Sequence, residues 1–217
     1  MTCSCPSFAL SPLQRGMLFH HLTEQHSGVD IEQVVLHLPE KLDVGRLEAA
    51  WQWLIERHDI LRARFIWEGV EEPCQQVMDE VRVPFAYEDA RSLTKAEQDE
   101  RLKSFLEADR EGGFDLNCAP MLRLTVFQWQ EASFSVVWTF HHALLDGRSY
   151  PILLREAFEA YAELLSAPFS RVRIPFRIAA ILNGSSNRIS RRLTHSGRAT
   201  WPDLQRRPLW LSTGSRR

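Results

Sequence analysis

Hydrophobic positions along this chain recur with two spacings, and the switches between them outline its elements. Ser11-Pro12 fits an N-cap followed by proline at the first helical position, and Leu13, Met17, Leu18 and Leu22 then return at helical intervals. Ile31 to Leu38, with Val34, Val35 and Leu36, reads as a mostly buried strand. Asp43 caps a second helix whose inward face is Leu47, Ala50, Trp51, Leu54 and Ile55. Arg62 to Trp67 alternates as a strand with Phe65 and Trp67 on one side. Cys74 to Tyr87 reads as one or two strands interrupted near Pro84. Thr94 to Arg110 is a charged amphipathic helix that Gly112-Gly113 ends. Met121 to Trp129 and Phe134 to Phe140 are strong strands joined by a short polar turn, which predicts a hairpin. Helical spacing returns from about Tyr150 to Ser166. Mixed elements with long-range antiparallel pairing predict an α+β sandwich.

Size and composition narrow this picture. At 217 residues the chain holds one good-sized domain or one lobe of a two-lobe enzyme. With 44% hydrophobic and 25% charged residues it has the material for a real core and the surface of an ordinary globular protein. Met1 to Leu10 lacks the basic start and long apolar run of a signal peptide. No stretch of about 18 residues is free of charge, so no membrane span is expected. Cys3, Cys5, Cys74 and Cys118 are too irregular for a disulfide scaffold or a zinc site, which points to reduced thiols and a cytoplasmic location.

The net charge of −2 hides a sharp asymmetry. Residues 170–217 carry eleven Arg and one acid, Asp203; the remainder of the 26 basic and 28 acidic residues leaves positions 1–169 with 15 and 27. A change that abrupt marks a boundary, with a folded unit before it and an Arg/Ser-rich, aberrant or disordered tail after it.

One segment carries candidate chemistry: Thr139-Phe140-His141-His142-Ala143-Leu144-Leu145-Asp146-Gly147. An apolar strand delivers two adjacent histidines at its end, and adjacent strand residues point to opposite faces, so one of the two faces a substrate and the other packs elsewhere. A neutral imidazole takes a proton from an incoming nucleophile near pH 7. Asp146-Gly147 suits a tight turn in which glycine accepts unusual backbone angles. A purely structural histidine pair stays open on this reading. A metal site does not: the third and fourth zinc ligands are missing at sensible spacing. Nor is there a G-x-S-x-G elbow for a hydrolase serine.

His141-His142-Ala143-Leu144-Leu145-Asp146-Gly147 resembles the HHxxxDG motif of nonribosomal peptide synthetase condensation domains, relatives of chloramphenicol acetyltransferase. Leu10-Ser11-Pro12-Leu13-Gln14-Arg15-Gly16-Met17-Leu18-Phe19-His20 is similar to the opening motif of that family. Arg57-His58-Asp59-Ile60-Leu61-Arg62-Ala63-Arg64-Phe65 resembles its second motif, RHxxLRTxF, with Ala63 where Thr or Ser is usual. The resemblance covers about Phe8 to Pro168.

It implies a chloramphenicol acetyltransferase-like sandwich, a mixed and largely antiparallel sheet with helices, here as the single N-terminal lobe over residues 8–169. It implies that His142 is the catalytic base, positioning or deprotonating an acceptor amine as it attacks a thioester. His141 is then mainly structural. Asp146 pairs with Arg62 behind the site, and Gly147 keeps the tunnel beside the histidine open. The substrates implied are acyl groups on the phosphopantetheine arms of carrier proteins, with no bound cofactor and no metal. The partners are carrier domains and adjacent synthetase modules; neither membrane nor nucleic acid is expected. The alternative is a non-catalytic interaction module that keeps the lobe's shape. Pro175-Phe176-Arg177 echoes the stretch that connects the lobes in the family, but the residues after it depart at once. The expectation is a truncated, weakly active or inactive fragment whose tail from Ile178 onward is an out-of-frame or otherwise aberrant extension, the rival reading being a genuine basic tail that binds anionic partners.

Overall fold

A computed structural model describes residues 7–24 and 28–166 of the chain; Cys3, Cys5 and the basic tail from Ser170 lie outside the described residues. Helix α1 (Pro12–Thr23) starts where Ser11 Oγ accepts from the Gln14 amide at 3.2 Å and Gln14 Oε1 accepts from the Ser11 amide at 3.0 Å. These reciprocal bonds satisfy donors that a helix start leaves open. A three-residue strand, β1 (Ser7–Ala9), precedes this helix. Strand β2 (Ile31–Leu38) follows it, then α2 (Val44–Arg57), whose N-cap Asp43 accepts from the Arg46 amide at 3.1 Å. The strand expected from Arg62 starts one residue later. Asp59–Arg62 form a 3-10 turn, and β3 is Ala63–Ile66.

The stretch around Pro84 is two strands, β4 (Cys74–Val77) and β5 (Phe85–Asp89). Helix α3 (Lys95–Gly112) has a second reciprocal cap, Thr94 with Glu97, and ends at Gly113, whose φ of 56° only glycine adopts freely. The hairpin is β6 (Leu122–Gln130) and β7 (Ser133–His141), paired antiparallel, and α4 (Ser149–Ser166) closes the described fold.

The larger sheet runs β2-β7-β6-β5, antiparallel except for β5 and β6. That parallel pair is possible because α3 returns the chain from one end of the sheet to the other. A smaller sheet orders β4 between β3 and the exposed β1, which pairs with Gln76 to Cys74. The architecture is therefore the expected α+β sandwich with a mixed, largely antiparallel sheet.

Alternation along β6 and β7 divides the core. Leu122, Leu124, Val126, Val136, Trp138 and Phe140 pack with Trp51, Leu54 and Ile55 of α2 and Leu153, Ala157 and Tyr161 of α4. On the other face Phe127, Trp129 and Val137 meet Leu102, Phe105 and Leu106 of α3. Trp51 and Trp138 are fully buried and meet edge to face, with ring centroids 4.8 Å apart. Burying each large apolar side chain contributes about 1.5–3 kcal/mol, so this layer holds β7 rigidly along its length. β7 ends on His141.

Candidate functional site

The two histidines at the end of β7 are held differently. His141 is 1% exposed, and its Nδ1 accepts from the Ala143 amide at 3.1 Å. The next ring, His142, is half-buried, with Nδ1 3.0 Å from the Leu145 carbonyl. A carbonyl oxygen only accepts, so His142 Nδ1 carries the proton of the neutral ring and Nε2 carries the lone pair. In His141 the backbone amide donates, so Nδ1 carries the lone pair and Nε2 the proton. The adjacent imidazoles are thus fixed in opposite tautomers, and the half-buried one presents a basic nitrogen.

Backbone bonds anchor both residues. The His141 amide donates to the Met121 carbonyl at 3.0 Å, and the His142 amide donates to the Asp30 carbonyl at 2.7 Å. Helix α1 reaches the same loop: Gln14 Nε2 lies 3.4 Å from the Ala143 carbonyl and 3.3 Å from Gln75 Oε1. The His21 and His141 rings meet edge to face with centroids 5.7 Å apart. The opening motif and the histidine motif, far apart in sequence, are in contact here. Gln14, His21 and Asp30 were not singled out from the sequence. For Gln14 the signal existed, because it sits inside the opening motif; for Asp30 there was none.

Asp146 and Arg62 make other bonds than the pair the resemblance implies. Asp146 is exposed, and its Oδ1 accepts from the Arg148 amide at 3.0 Å, the Ser149 amide at 2.7 Å and Ser149 Oγ at 2.6 Å. It caps the entry to α4, where unpaired amides and the helix dipole favour a carboxylate. The Ser149 bonds, first the hydroxyl and then the amide, hold its carboxyl below the usual range. Arg62 donates to the carbonyls of Ile55 at 3.2 Å, Met78 at 2.6 Å and Asp79 at 3.3 Å, and to Asp59 Oδ1 at 2.5 Å. Its guanidinium fork is thereby used in tying the end of α2 to the 3-10 turn and the residues after β4. Gly147 does not use the unusual backbone angles that the turn reading allowed it. It takes no positive φ, and a Cβ there would meet nothing within 4 Å, so neither backbone strain nor a clash within this lobe requires glycine.

The first half of the second motif braces α4. His58 Nε2 lies 2.7 Å from Glu156 Oε2, and Arg57 Nε is 3.5 Å from the same oxygen. On the opposite face of the sheet a nearly buried Asp109 of α3 binds Arg123, Thr139 and Gln33, gripping β7 two residues before His141. Among the described residues no group of three or more His, Cys, Asp or Glu is placed to hold a metal ion, and no helix is long and apolar enough to cross a membrane.

Burial holds His141 down to about 4; His21, His142 and His20 add to the effect and the Asp30 carboxylate opposes it. The unfolded chain, with a histidine near 6.5, then binds more protons than the folded one between those values. Stability from His141 is therefore complete above about pH 6.5 and falls as pH drops towards 4, by on the order of 3 kcal/mol in all. Urea midpoints measured across that window for the parent chain and for His141→Asn are expected to converge as pH falls. Parallel curves would rule this out.

Comparison with known proteins bears on the same residues. The family model described as Condensation domain matches residues 7–169. A linear gramicidin synthase polypeptide of Brevibacillus parabrevis is 48% identical over 157 residues, 72% of this chain but 3% of that protein. Bacitracin synthase 1 of Bacillus licheniformis is 32% identical over 168 residues, 77% of this chain and 3% of that protein. Among solved structures, the starter condensation domain of rhizomide synthetase RzmA superposes with a TM-score of 0.67 at 18% identity, covering 74% of this chain and 40% of that one. A four-domain nonribosomal peptide synthetase, holo-AB3403, gives 0.63 at 20% identity over 72% of this chain and 12% of that one. The structural likenesses speak for the fold, and the chain spans a small part of each curated relative it matches.

Proposed function

The chain belongs to the condensation-domain family, and from that premise we propose that it carries the N-terminal half of an acyltransferase that forms amide bonds between carrier-tethered thioesters, with His142 as the base. The observation that carries this reading is the Nδ1 contact of His142 with the Leu145 carbonyl, which leaves Nε2 as the proton acceptor of a half-buried ring just past β7. In the proposed step an acceptor amine attacks the donor thioester carbonyl. The amine proton passes to His142 Nε2, the carbon–sulfur bond breaks, and the departing thiolate is protonated as the imidazole returns to its neutral form. Holding both acyl groups on arms in one channel supplies much of the rate, since a bimolecular step becomes effectively unimolecular. Substrates arrive on phosphopantetheine, so the partners are carrier domains and neighbouring synthetase modules. With Cys74 and Cys118 free, the cytoplasm is the proposed location.

A tunnel between two lobes needs both walls, and residues 8–169 correspond to one. We therefore expect the 217-residue chain alone to give little or no product from donor- and acceptor-loaded carriers. Product read by mass spectrometry is expected once a polypeptide supplying the second lobe is added. Full turnover by the chain alone would overturn the incompleteness. Tight binding of loaded carriers, with no amide under any complementation, would favour the interaction-module reading over the enzyme.

A further inference from the structure

Asp30 is gripped at both of its ends. Its carbonyl accepts the His142 amide at 2.7 Å, and its carboxylate lies 2.7 Å from His20 Nδ1. His20 is in turn braced by Glu24 one helical turn on, at 3.3 Å from Nε2. Asp30 stands one residue before β2, whose Ile31 pairs with His141, so any shift of Asp30 acts at the last rung of the β2–β7 ladder. From the far side Arg110 of α3 donates to the Ile31 carbonyl at 2.9 Å. The peptide at Asp30 is thus fixed by α1 through one side chain and by α3 through its neighbour's carbonyl.

We propose that His20 is a positioning residue for His142: by clamping the Asp30 carboxylate it sets the carbonyl that holds the His142 backbone at the end of β7. This rests on His142 being the base, as proposed above. The arrangement suits the task. A charge-assisted imidazole–carboxylate bond is among the stronger hydrogen bonds, and its direction is fixed by a rigid ring on a capped helix. Asp30 is mostly buried, with 18% of its side chain exposed, so the bond is shielded from water on one side.

Among the described residues, the titratable groups facing His20 are Glu24 and His21 on α1, Asp30 before β2 and His141 at the end of β7. The Asp30 hydrogen bond, aided by its charge and by Glu24, raises His20 above its ordinary range. Its ionic contribution is therefore full below about pH 6.5 and is lost as pH rises through the raised value; above that a neutral Nδ1–H still donates to the carboxylate.

Amide hydrogen exchange followed by NMR on the 217-residue chain tests the clamp. His20→Ala is expected to speed exchange of the His142 amide about tenfold, while the His141 amide and the Val137 rung keep their protection. His20→Asn, which keeps an N–H donor near the Nδ1 position, is expected to restore most of it, and Asp30→Asn to give a partial effect. An unchanged His142 amide, or a loss spread evenly along β2–β7, would overturn the proposal, the second because it describes general loosening. In the domain complemented with its second lobe, His20→Ala is expected to lower kcat about tenfold with KM for the carriers unchanged. Abolition of condensation by His142→Ala with none of these losses in His20→Ala overturns positioning. A selective exchange effect alongside a harmless His142→Ala supports the clamp and removes the catalytic reading instead.

Discussion

His142→Ala is expected to lower single-turnover amide formation by about 10²- to 10⁴-fold in the complemented two-lobe domain, the range for losing a positioned general base. That corresponds to about 2.7–5.5 kcal/mol of transition-state stabilisation. The expectation follows from the two tautomers. His142 is half-buried with Nδ1 bound to the Leu145 carbonyl, so alanine removes the ring of the pair whose lone pair, on Nε2, is not taken up by a backbone amide. His141 is buried with its own lone pair facing the Ala143 amide and cannot substitute without leaving the core. The fold should tolerate the change: His142 keeps its backbone bond to Asp30, and its side chain lies outside the buried layer. Rapid quench with preloaded carriers gives the rate, and a circular-dichroism melt checks that folding is intact. A loss of less than about tenfold with an intact fold would remove the base role.

Asp109→Ala should have the largest effect on stability. The Asp109 side chain is 7% exposed, with Arg123 Nε at 2.5 Å from Oδ1 and with Thr139 Oγ1 at 2.6 Å and Gln33 Nε2 at 2.7 Å from Oδ2. Arg123 also donates to the carbonyls of Asp109 and Gly113. Removing the carboxylate takes the acceptor from Arg123 Nε and from the Thr139 hydroxyl and leaves Gln33 Nε2 only the Leu106 carbonyl, and breaking a buried pair from one side costs about 3–5 kcal/mol. Against a total of about 5–15 kcal/mol this is a large share, and the melting temperature should fall by about 10 °C or more. Asp109→Asn keeps one acceptor oxygen and should lose less. Arg123→Ala should also lose less, because Thr139 and Gln33 still satisfy the carboxylate. Urea unfolding of the three variants gives the order; a cost under about 1 kcal/mol for Asp109→Ala would mean the network is not stabilising.

What could be read in advance follows the range of the forces involved. The caps at Ser11 and Asp43 and the glycine stop at Gly113 depend on bonds within three or four residues, and each lies where the sequence puts it; Thr94, read as the first helical residue, is the N-cap of α3. β2 begins and ends at Ile31 and Leu38 as its apolar run predicts, and the hairpin differs by a residue at its ends. Asp109 was not legible. Among Glu107, Arg110 and Glu111 it reads as part of a solvated helix face, and only the packing of α3 on the sheet brings it under Thr139. Arg62 and Asp146 fail for the same reason in reverse. The motifs suggested partners, but each side chain found nearer donors and acceptors at a helix end, and nearby partners are reached with less ordering of the chain.

Local hydrogen bonding and the spacing of apolar residues therefore determined the elements, their order, the α+β class and the location of a histidine pair at a strand end. Which histidine is buried, which nitrogen carries its proton, and how α1, Asp30 and Asp109 hold the strand end were decided by the tertiary structure alone. The physical reason is that a tautomer is set by the partner each ring nitrogen meets, and those partners come from the following loop and from elements that only folding brings to it.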